Sequence, residues 1–168
     1  MTASLERRLS DRWTLGGALG STVAGLIDLQ GNPFDVSPGP VVAATASFRP
    51  LDEGTVAPFV LLTGAVTASL SWTAPSGGGP SSPLTAFDVR VGALAGKTIA
   101  QVVTPYLLAR VFGGPVLASL AGQSYVGTDA YHYQLGGGVS VHAGRVDVLV
   151  EGVPLGERGV VAGVGVAF

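Results

Sequence analysis

The chain has 168 residues, enough for one domain with a sizeable core. Only 12% of the residues are charged and 47% are hydrophobic, and the mean hydropathy of +0.49 is high for a water-soluble domain. The net charge of -2 argues against a nucleic-acid partner, and the absence of cysteine excludes disulfides and thiolate metal sites. With only two histidines, we expect no bound metal and no cofactor.

The hydrophobic residues are not arranged as membrane-spanning helices, each of which would need about 20 consecutive apolar residues. Gly, Thr, Ser or Pro interrupts the apolar stretches within a few residues, for example between Phe59 and Leu70. The other fold that can span lipid is a closed β-barrel, because closure leaves no backbone group unpaired.

The N-terminal segment, residues 1–11, is polar and charged and carries no secretory signal, so we interpret the chain as a mature form with an added Met. Residues 5–9 fit half a strand, but Leu5, Leu9 and Trp13 also have the spacing of a short amphipathic helix. An extra strand would make the strand count odd and place the two termini on opposite sides. We favour a periplasmic lead-in over residues 1–11, and a fragment of a larger barrel is the alternative.

From Arg12 onward, segments of about ten residues alternate between apolar and polar or small residues, which is the period of a β-strand. In the clearest segment, Leu135, Val139 and Val141 share one face, and Gln134 falls on the other. Gly and Pro separate the segments. The pattern predicts eight strands, at residues 12–24, 41–49, 59–72, 85–96, 104–113, 131–143, 145–152 and 159–168.

The predicted connections alternate in length. Those at residues 28–40, 73–84 and 114–130 are long and rich in Pro, Gly and Ser, whereas those at 50–55, 96–100 and 143–145 are short. The connection at 154–158 falls on the long side of the series but is itself short. Long loops at one rim and tight turns at the other are typical of outer-membrane barrels. We therefore predict an all-β fold, a closed antiparallel up-and-down transmembrane β-barrel of about eight strands over residues 12–168, with both chain ends in the periplasm.

Alternation alone does not say which face is outside, since a soluble ligand-binding barrel of the lipocalin or avidin type has the same period with apolar residues inside. The polar face is rich in Gly, Ala, Ser and Thr, and Lys97 is the only lysine, whereas a water-facing surface would carry more charges. Aromatic residues on the apolar face also lie near the strand ends, where lipid headgroups would contact them. The predicted aromatic belts are Trp13, Phe48 and Phe168 near the short turns, and Trp72, Phe87, Tyr131 and Tyr133 near the long loops.

The chain ends in VVAGVGVAF, in which apolar residues alternate up to the terminal Phe168. This ending resembles the C-terminal strand of bacterial outer-membrane proteins, and from about Arg12 onward the chain resembles the small eight-stranded class that includes OmpA- and OmpX-like barrels. The resemblance implies a protein of the outer membrane of a Gram-negative bacterium. Its partners would be the lipid bilayer and the outer-membrane assembly machinery, which would recognise the strand ending in Phe168. We expect a monomer.

The face opposite the apolar residues collects most of the titratable side chains of the predicted strands. Charges inside a narrow barrel must be paired, because an unpaired buried charge costs several kcal/mol. An eight-stranded barrel is also just filled by side chains, so we expect a plugged lumen, and a narrow channel for small solutes is the alternative. The predicted lumen charge network comprises Arg49, Asp88, Arg90, Arg110, His132, His142, Arg145, Asp147 and Glu151.

We expect no enzymatic activity. Lipid A deacylases resemble this architecture and use a Ser, a His and an acid, but Ser140 and His142 stand in the opposite order to the His-x-Ser pattern of that family. The glycine run at residues 136–138 lacks the Lys and helix of a phosphate loop, and we interpret it as a site of curvature or close packing. The sequence therefore favours a structural or surface-interaction role in the outer membrane.

Overall fold

Thirteen β-strands make up the computed structural model, which describes residues 1–29, 31–120 and 123–168. Strands account for 74% of the described residues, which contain no helix. In that part of the chain, therefore, no helix is long and apolar enough to cross a membrane. The strands are β1 (Thr2–Arg8), β2 (Trp13–Ser21), β3 (Gly25–Leu29), β4 (Asn32–Ser37), β5 (Pro40–Leu51), β6 (Phe59–Pro75), β7 (Ser82–Gly96), β8 (Val103–Gly113), β9 (Val116–Leu120), β10 (Gln123–Gly127), β11 (Tyr133–Ala143), β12 (Val146–Gly156) and β13 (Gly159–Val166).

One antiparallel sheet contains all of these strands. Its main path is β1-β2-β5-β6-β7-β8-β11-β12-β13, and the sheet curls into an open half-barrel. Turns at residues 9–12, 52–58, 97–102 and 144–145 lie at one end, which we call the short-turn rim. The opposite end, the long-loop rim, carries the β3–β4 and β9–β10 hairpins and the connections at 76–81 and 157–158.

The two hairpins extend the sheet at the long-loop rim, where we had predicted loops. β4 continues the line of β5 along β6, and β9 continues the line of β8 along β7. The break between β4 and β5 falls at Gly39, where a Cβ would overlap the carbonyl oxygen of Leu70. Thr22 Oγ1 accepts a hydrogen bond from the Gly39 N–H (2.8 Å) and lies 3.1 Å from Ser71 Oγ. These contacts fix the kink from which the β3–β4 hairpin extends.

The eight predicted strands are present near their predicted positions, but the predicted closure into an eight-stranded barrel is wrong. The N-terminal segment is a ninth strand on the main path, rather than a lead-in or a helix. β1 pairs with β2 along its whole length, from Thr2 opposite Gly20 to Arg8 opposite Thr14. It thereby occupies the edge of β2 on which β13 would have to pair to close eight strands. Within the described residues, β1 and β13 are not hydrogen-bonded to each other.

The extra strand also separates the two chain ends, which we had expected on the same side. The N-terminal amine donates a hydrogen bond to the Ser21 carbonyl (2.8 Å) at the long-loop rim. The Ala167 N–H donates to the Arg145 carbonyl (2.8 Å) at the short-turn rim. The termini therefore lie at opposite rims, as an odd number of strands requires.

The two faces of the sheet differ in burial and in polarity. Burial alternates along most strands, because successive side chains point to opposite faces. The concave face holds the buried residues, both apolar and polar: Tyr106, Leu108, Phe112, Val153, Ser71, Thr73, Gln134 and Glu151. The convex face is apolar and exposed, and it includes Leu15, Leu19, Val42, Val66, Val89, Val91, Leu107, Val111, Val148, Val150 and Val164.

Candidate functional site

The polar cluster with the most side-chain hydrogen bonds on the concave face joins β8 to β12. Arg110 and Glu151 form a bidentate ion pair, with Nη1 2.6 Å from Oε1 and Nη2 2.9 Å from Oε2. Tyr106 Oη donates a hydrogen bond to Glu151 Oε2 (3.2 Å). Glu151 is only 4% exposed. Paired N–H donors in this geometry make a carboxylate–arginine contact strong and directional.

Glycines of β11 make this cluster possible, because β11 lies between β8 and β12 in the sheet. A Cβ at Gly138 would stand 2.5 Å from Tyr106 Oη and 2.6 Å from the Val150 carbonyl oxygen. Only glycine therefore leaves room for the side chains of Tyr106 and Glu151 to meet above β11. The interpretation of residues 136–138 as a place of close packing is confirmed at this position.

A second ion pair lies on β7. Arg90 Nη2 is 3.4 Å from Asp88 Oδ2, and the Arg90 guanidinium carbon is 5.0 Å from the centre of the Phe112 ring. Both side chains are partly exposed. Asp88 Oδ1 and Arg90 Nε have no hydrogen-bond partner among the described residues. This pair is therefore less completely satisfied than Arg110–Glu151.

The third pair lies at the short-turn rim. His142 and Asp147 are directly opposite on β11 and β12, with His142 Nδ1 2.8 Å from Asp147 Oδ1. About half of each side chain is exposed. An exposed pair of this kind contributes little to stability, because water competes for both groups.

The other three predicted lumen residues form no ion pair within the described residues. Arg49 lies over the Phe59 ring, 5.7 Å from its centre. His132 precedes β11, and its Nδ1 is 3.3 Å from the Phe112 carbonyl oxygen. Arg145 sits in the turn at residues 144–145 rather than on a strand. Among the described residues, the nine predicted side chains thus form three separate ion pairs, and the other three take part in none of them.

Tyr106 and the Gln134–Glu157 contact are polar features of this face that we did not predict. Gln134 Nε2 donates to Glu157 Oε2 (3.1 Å), and Gln134 is buried. The predicted charge network comprised only charged side chains and histidines, so it did not include Tyr106 or Gln134. A search for all hydrogen-bonding groups on that face would have included both.

The predicted aromatic belts occupy the convex face or the strand ends. Trp13 and Phe48 are cross-strand neighbours near the short-turn rim, with ring centres 4.8 Å apart. Phe168 lies at the same rim and is 100% exposed. Partly exposed rings also lie toward the long-loop rim, at Trp72, Phe87, Tyr131 and Tyr133.

Contacts between turns stabilise the short-turn rim. Lys97 Nζ donates to the carbonyl oxygens of Gly54 (2.9 Å) and Thr55 (2.8 Å). The Thr98 N–H donates to Glu53 Oε1 (2.8 Å). Hydrogen bonding from the Thr98 side chain and backbone lowers the pKa of Glu53 below its ordinary value of 4.5. These contacts connect the turn after β5 to the turn after β7.

The side chains considered for a catalytic set have other hydrogen-bond partners on this face. His142 pairs with Asp147 through Nδ1, and Glu151 is held by Arg110 and Tyr106. Among the described residues, no hydrogen bond joins the Ser140 side chain to His142 or to Glu151. Comparison of the chain with known proteins found no matching family model, curated protein or solved structure. What the concave face can do is therefore inferred from its own geometry.

We predict that Glu151→Gln destabilises the fold by about 3 kcal/mol, because it leaves the Arg110 guanidinium without its buried counter-ion. Asp147→Asn is the matched control, and it should cost about 1 kcal/mol or less because its pair is exposed. Urea unfolding of both variants, refolded into lipid vesicles, measures the difference. Equal losses of unfolding free energy in the two variants would contradict this prediction. They would show that Arg110 and Glu151 are as accessible to water as His142 and Asp147 are.

We also predict a pH dependence at the short-turn rim. Because the folded pKa of Glu53 is lowered, its contribution to stability is present above pH 4.5 and is lost as the pH falls through the lowered value. The difference in unfolding free energy between wild type and Glu53→Gln should therefore shrink on acidification below pH 4.5. Unfolding titrations of both proteins from neutral to acidic pH measure this difference. A difference that is constant over the whole range would exclude the carboxylate as its source.

Proposed function

We propose that this chain is an outer-membrane β-sheet protein of a Gram-negative bacterium, with its convex face in lipid and a structural or surface-interaction role. The observation that carries the proposal is the polarity of the two faces. Large aliphatic side chains cover the exposed convex face, whereas the charged pairs lie on the concave face. A sheet protein in water would reverse this arrangement, because exposed apolar patches of this extent promote aggregation.

The concave face supports a plugged rather than a conducting interior. The middle of the half-barrel is filled by the Arg110–Glu151–Tyr106 cluster and by the buried side chains of Leu108 and Phe112. Each charge in the cluster already has a partner, so it offers little to a passing ion. This arrangement supports a non-conducting role. Steady conductance of the protein in planar bilayers would instead support the narrow-channel alternative.

The hairpins at the long-loop rim support a role in surface contacts. β3–β4 and β9–β10 extend the sheet past the main strands and carry exposed apolar residues, including Leu26, Tyr125 and Val126. In the proposed orientation these hairpins lie outside the cell, where long loops of outer-membrane barrels are found.

Leu107→Arg tests the lipid contact of the convex face. Leu107 lies mid-strand in β8 and is 74% exposed, so an arginine there should cost about 2 to 4 kcal/mol in a bilayer. Val126→Arg is the matched control, because Val126 is also 74% exposed but lies on the hairpin beyond the main strands. Unfolding from lipid vesicles should show a small effect for the control. If both changes stay within about 0.5 kcal/mol, as surface substitutions in water do, the soluble-barrel alternative is favoured.

Deleting Phe168 tests the predicted contact with the assembly machinery. The ring is fully exposed, so its loss should leave refolding into detergent unchanged. We expect membrane insertion in cells to fall sharply, and the aromatic replacement Phe168→Tyr to restore it. Quantifying the protein in isolated outer membranes measures both variants. Normal insertion of the deletion variant would remove the assembly-signal role from Phe168.

A further inference from the structure

Arg7 is a charged residue on the apolar convex face. It lies directly opposite Leu15 of β2, and residues opposite each other on neighbouring strands point to the same side of a sheet. Leu5 and Leu9, two residues away along the chain, are 64% and 57% exposed. Within the part of the chain that the structure describes, Arg7 takes part in none of the ion pairs. It is thus a cation beside aliphatic side chains, without a counter-ion from those residues.

The neighbouring Arg8 differs from Arg7 in both its face and its contacts. It pairs with Thr14, so it points to the concave side. Its guanidinium donates to the carbonyl oxygens of Ser10 (3.1 Å) and Asp11 (3.2 Å), and it lies 3.5 Å from the Asp11 carboxylate. Two consecutive arginines of β1 therefore have the same charge, but only Arg8 is engaged with a carboxylate among the described residues.

The depth of Arg7 along the sheet is that expected for a contact with lipid headgroups. Arg7 lies at the short-turn end of β1, diagonal to the Trp13–Phe48 ring pair on the same face. Tryptophan is enriched at membrane–water interfaces, and arginine is tolerated there because its guanidinium reaches the lipid phosphates. This step rests on the proposed membrane location of the convex face.

An open depression on the convex face begins two residues from Arg7, at Leu5, and runs toward the long-loop rim. It has a volume of about 410 Å³, and its walls include Leu5 and Leu19. Gly17 leaves it unfilled, and a Cβ there would meet one carbonyl oxygen, at 3.7 Å. From Arg7 to Ala3 at the far end, β1 covers about 13 Å, roughly half of the ~30 Å hydrocarbon thickness. The depression therefore has the position and length of an acyl chain whose headgroup is at Arg7.

A second depression on the convex face has a similar size but lacks the cation. Its volume is about 320 Å³, and it lies over β5, β6 and β7 around Gly64. The charged residue in its lining, Arg90, directs its guanidinium to Asp88 and the Phe112 ring on the concave face. The combination of an apolar depression with a convex-face arginine therefore distinguishes the depression at Gly17.

We propose that the short-turn end of the convex face binds one glycerophospholipid, with its phosphodiester group on Arg7 and one acyl chain in the depression at Gly17. Guanidinium groups make strong charge-assisted hydrogen bonds to phosphate oxygens. The indole N–H of Trp13 is a further donor at the same depth. In the orientation proposed above, the short-turn rim is periplasmic, so the bound lipid belongs to the periplasmic leaflet.

Lipid binding is measured in a nonionic, phosphate-free detergent with the Trp72→Phe protein, in which Trp13 is the remaining tryptophan. A phospholipid with brominated acyl chains is added, and quenching of Trp13 fluorescence reports lipid beside β2. We expect saturable quenching by one lipid per chain, and Arg7→Gln should weaken binding roughly tenfold. Arg7→Lys keeps the charge and should lose less. Arg8→Gln is the matched control and should bind lipid as the parent protein does.

Gly17→Leu tests the acyl-chain contact independently of the charge. The new side chain should occupy the depression and weaken binding, whereas Gly64→Leu in the second depression should not. Circular dichroism checks that each variant is folded. Equal, non-saturating quenching in all variants would overturn the proposal, because it would show non-specific lipid contact. Competition by inorganic phosphate, with no effect of Gly17→Leu, would show an anion site without an acyl-chain site and would also overturn it.

Two further outcomes separate this proposal from its alternatives. Self-association of the lipid-free protein that Gly17→Leu abolishes would assign the depression to a second copy of the chain instead of a lipid. The titration needs no bilayer, so it is independent of the Leu107→Arg experiment. Destabilisation by Leu107→Arg together with unchanged lipid binding by Arg7→Gln would support the membrane location and overturn only the phospholipid site.

Discussion

Antiparallel backbone pairing is the constraint on which the rest of this structure depends. With no helix among the described residues and with a sheet that holds all thirteen strands, each strand is placed by the hydrogen bonds of its neighbours. The pairing fixes which side chains stand beside each other, and the two-residue period then separates them into two faces. Both the apolar convex face and the charge pairs of the concave face follow from that register.

The same constraint explains how much of the fold could be predicted from the sequence. Alternation located eight strands because it is a local property, visible within each segment. β1 was ambiguous because Leu5 and Leu9 fit two periods, and the β3–β4 and β9–β10 hairpins lie in Pro- and Gly-rich sequence that is typical of loops. Closure could not be predicted at all, since it depends on which strand occupies the free edge of β2. That choice is made between segments distant in sequence, by competition for the same hydrogen bonds.

The concave site shows a similar division between local and non-local information. Alternation correctly placed Arg110 and Glu151 on one face, but it could not identify them as partners. They lie on strands that are not neighbours, and they meet because Gly138 of the intervening strand has no side chain. Arg145 was assigned to the same face, yet a two-residue turn removed it from the strand. The alternation of residue types therefore predicted which face of the sheet is polar. Which side chains form ion pairs on that face depends on the register between the strands, which the sequence pattern does not give.

Large side chains are unevenly distributed over the concave face, and their positions determine which part of the interior is filled. Tyr106, Leu108 and Phe112 place large buried side chains on β8, in the middle of the sheet. At the β1 edge, the space beside Gly16 is taken by the side chains of Thr45 and Glu6. At the β13 edge, Gly159 and Gly163 lie on the concave side with open space above them. The concave face is therefore filled from its middle toward β1 and remains open along β13, so the charge pairs of β8 and β12 stand between a packed half and an open one.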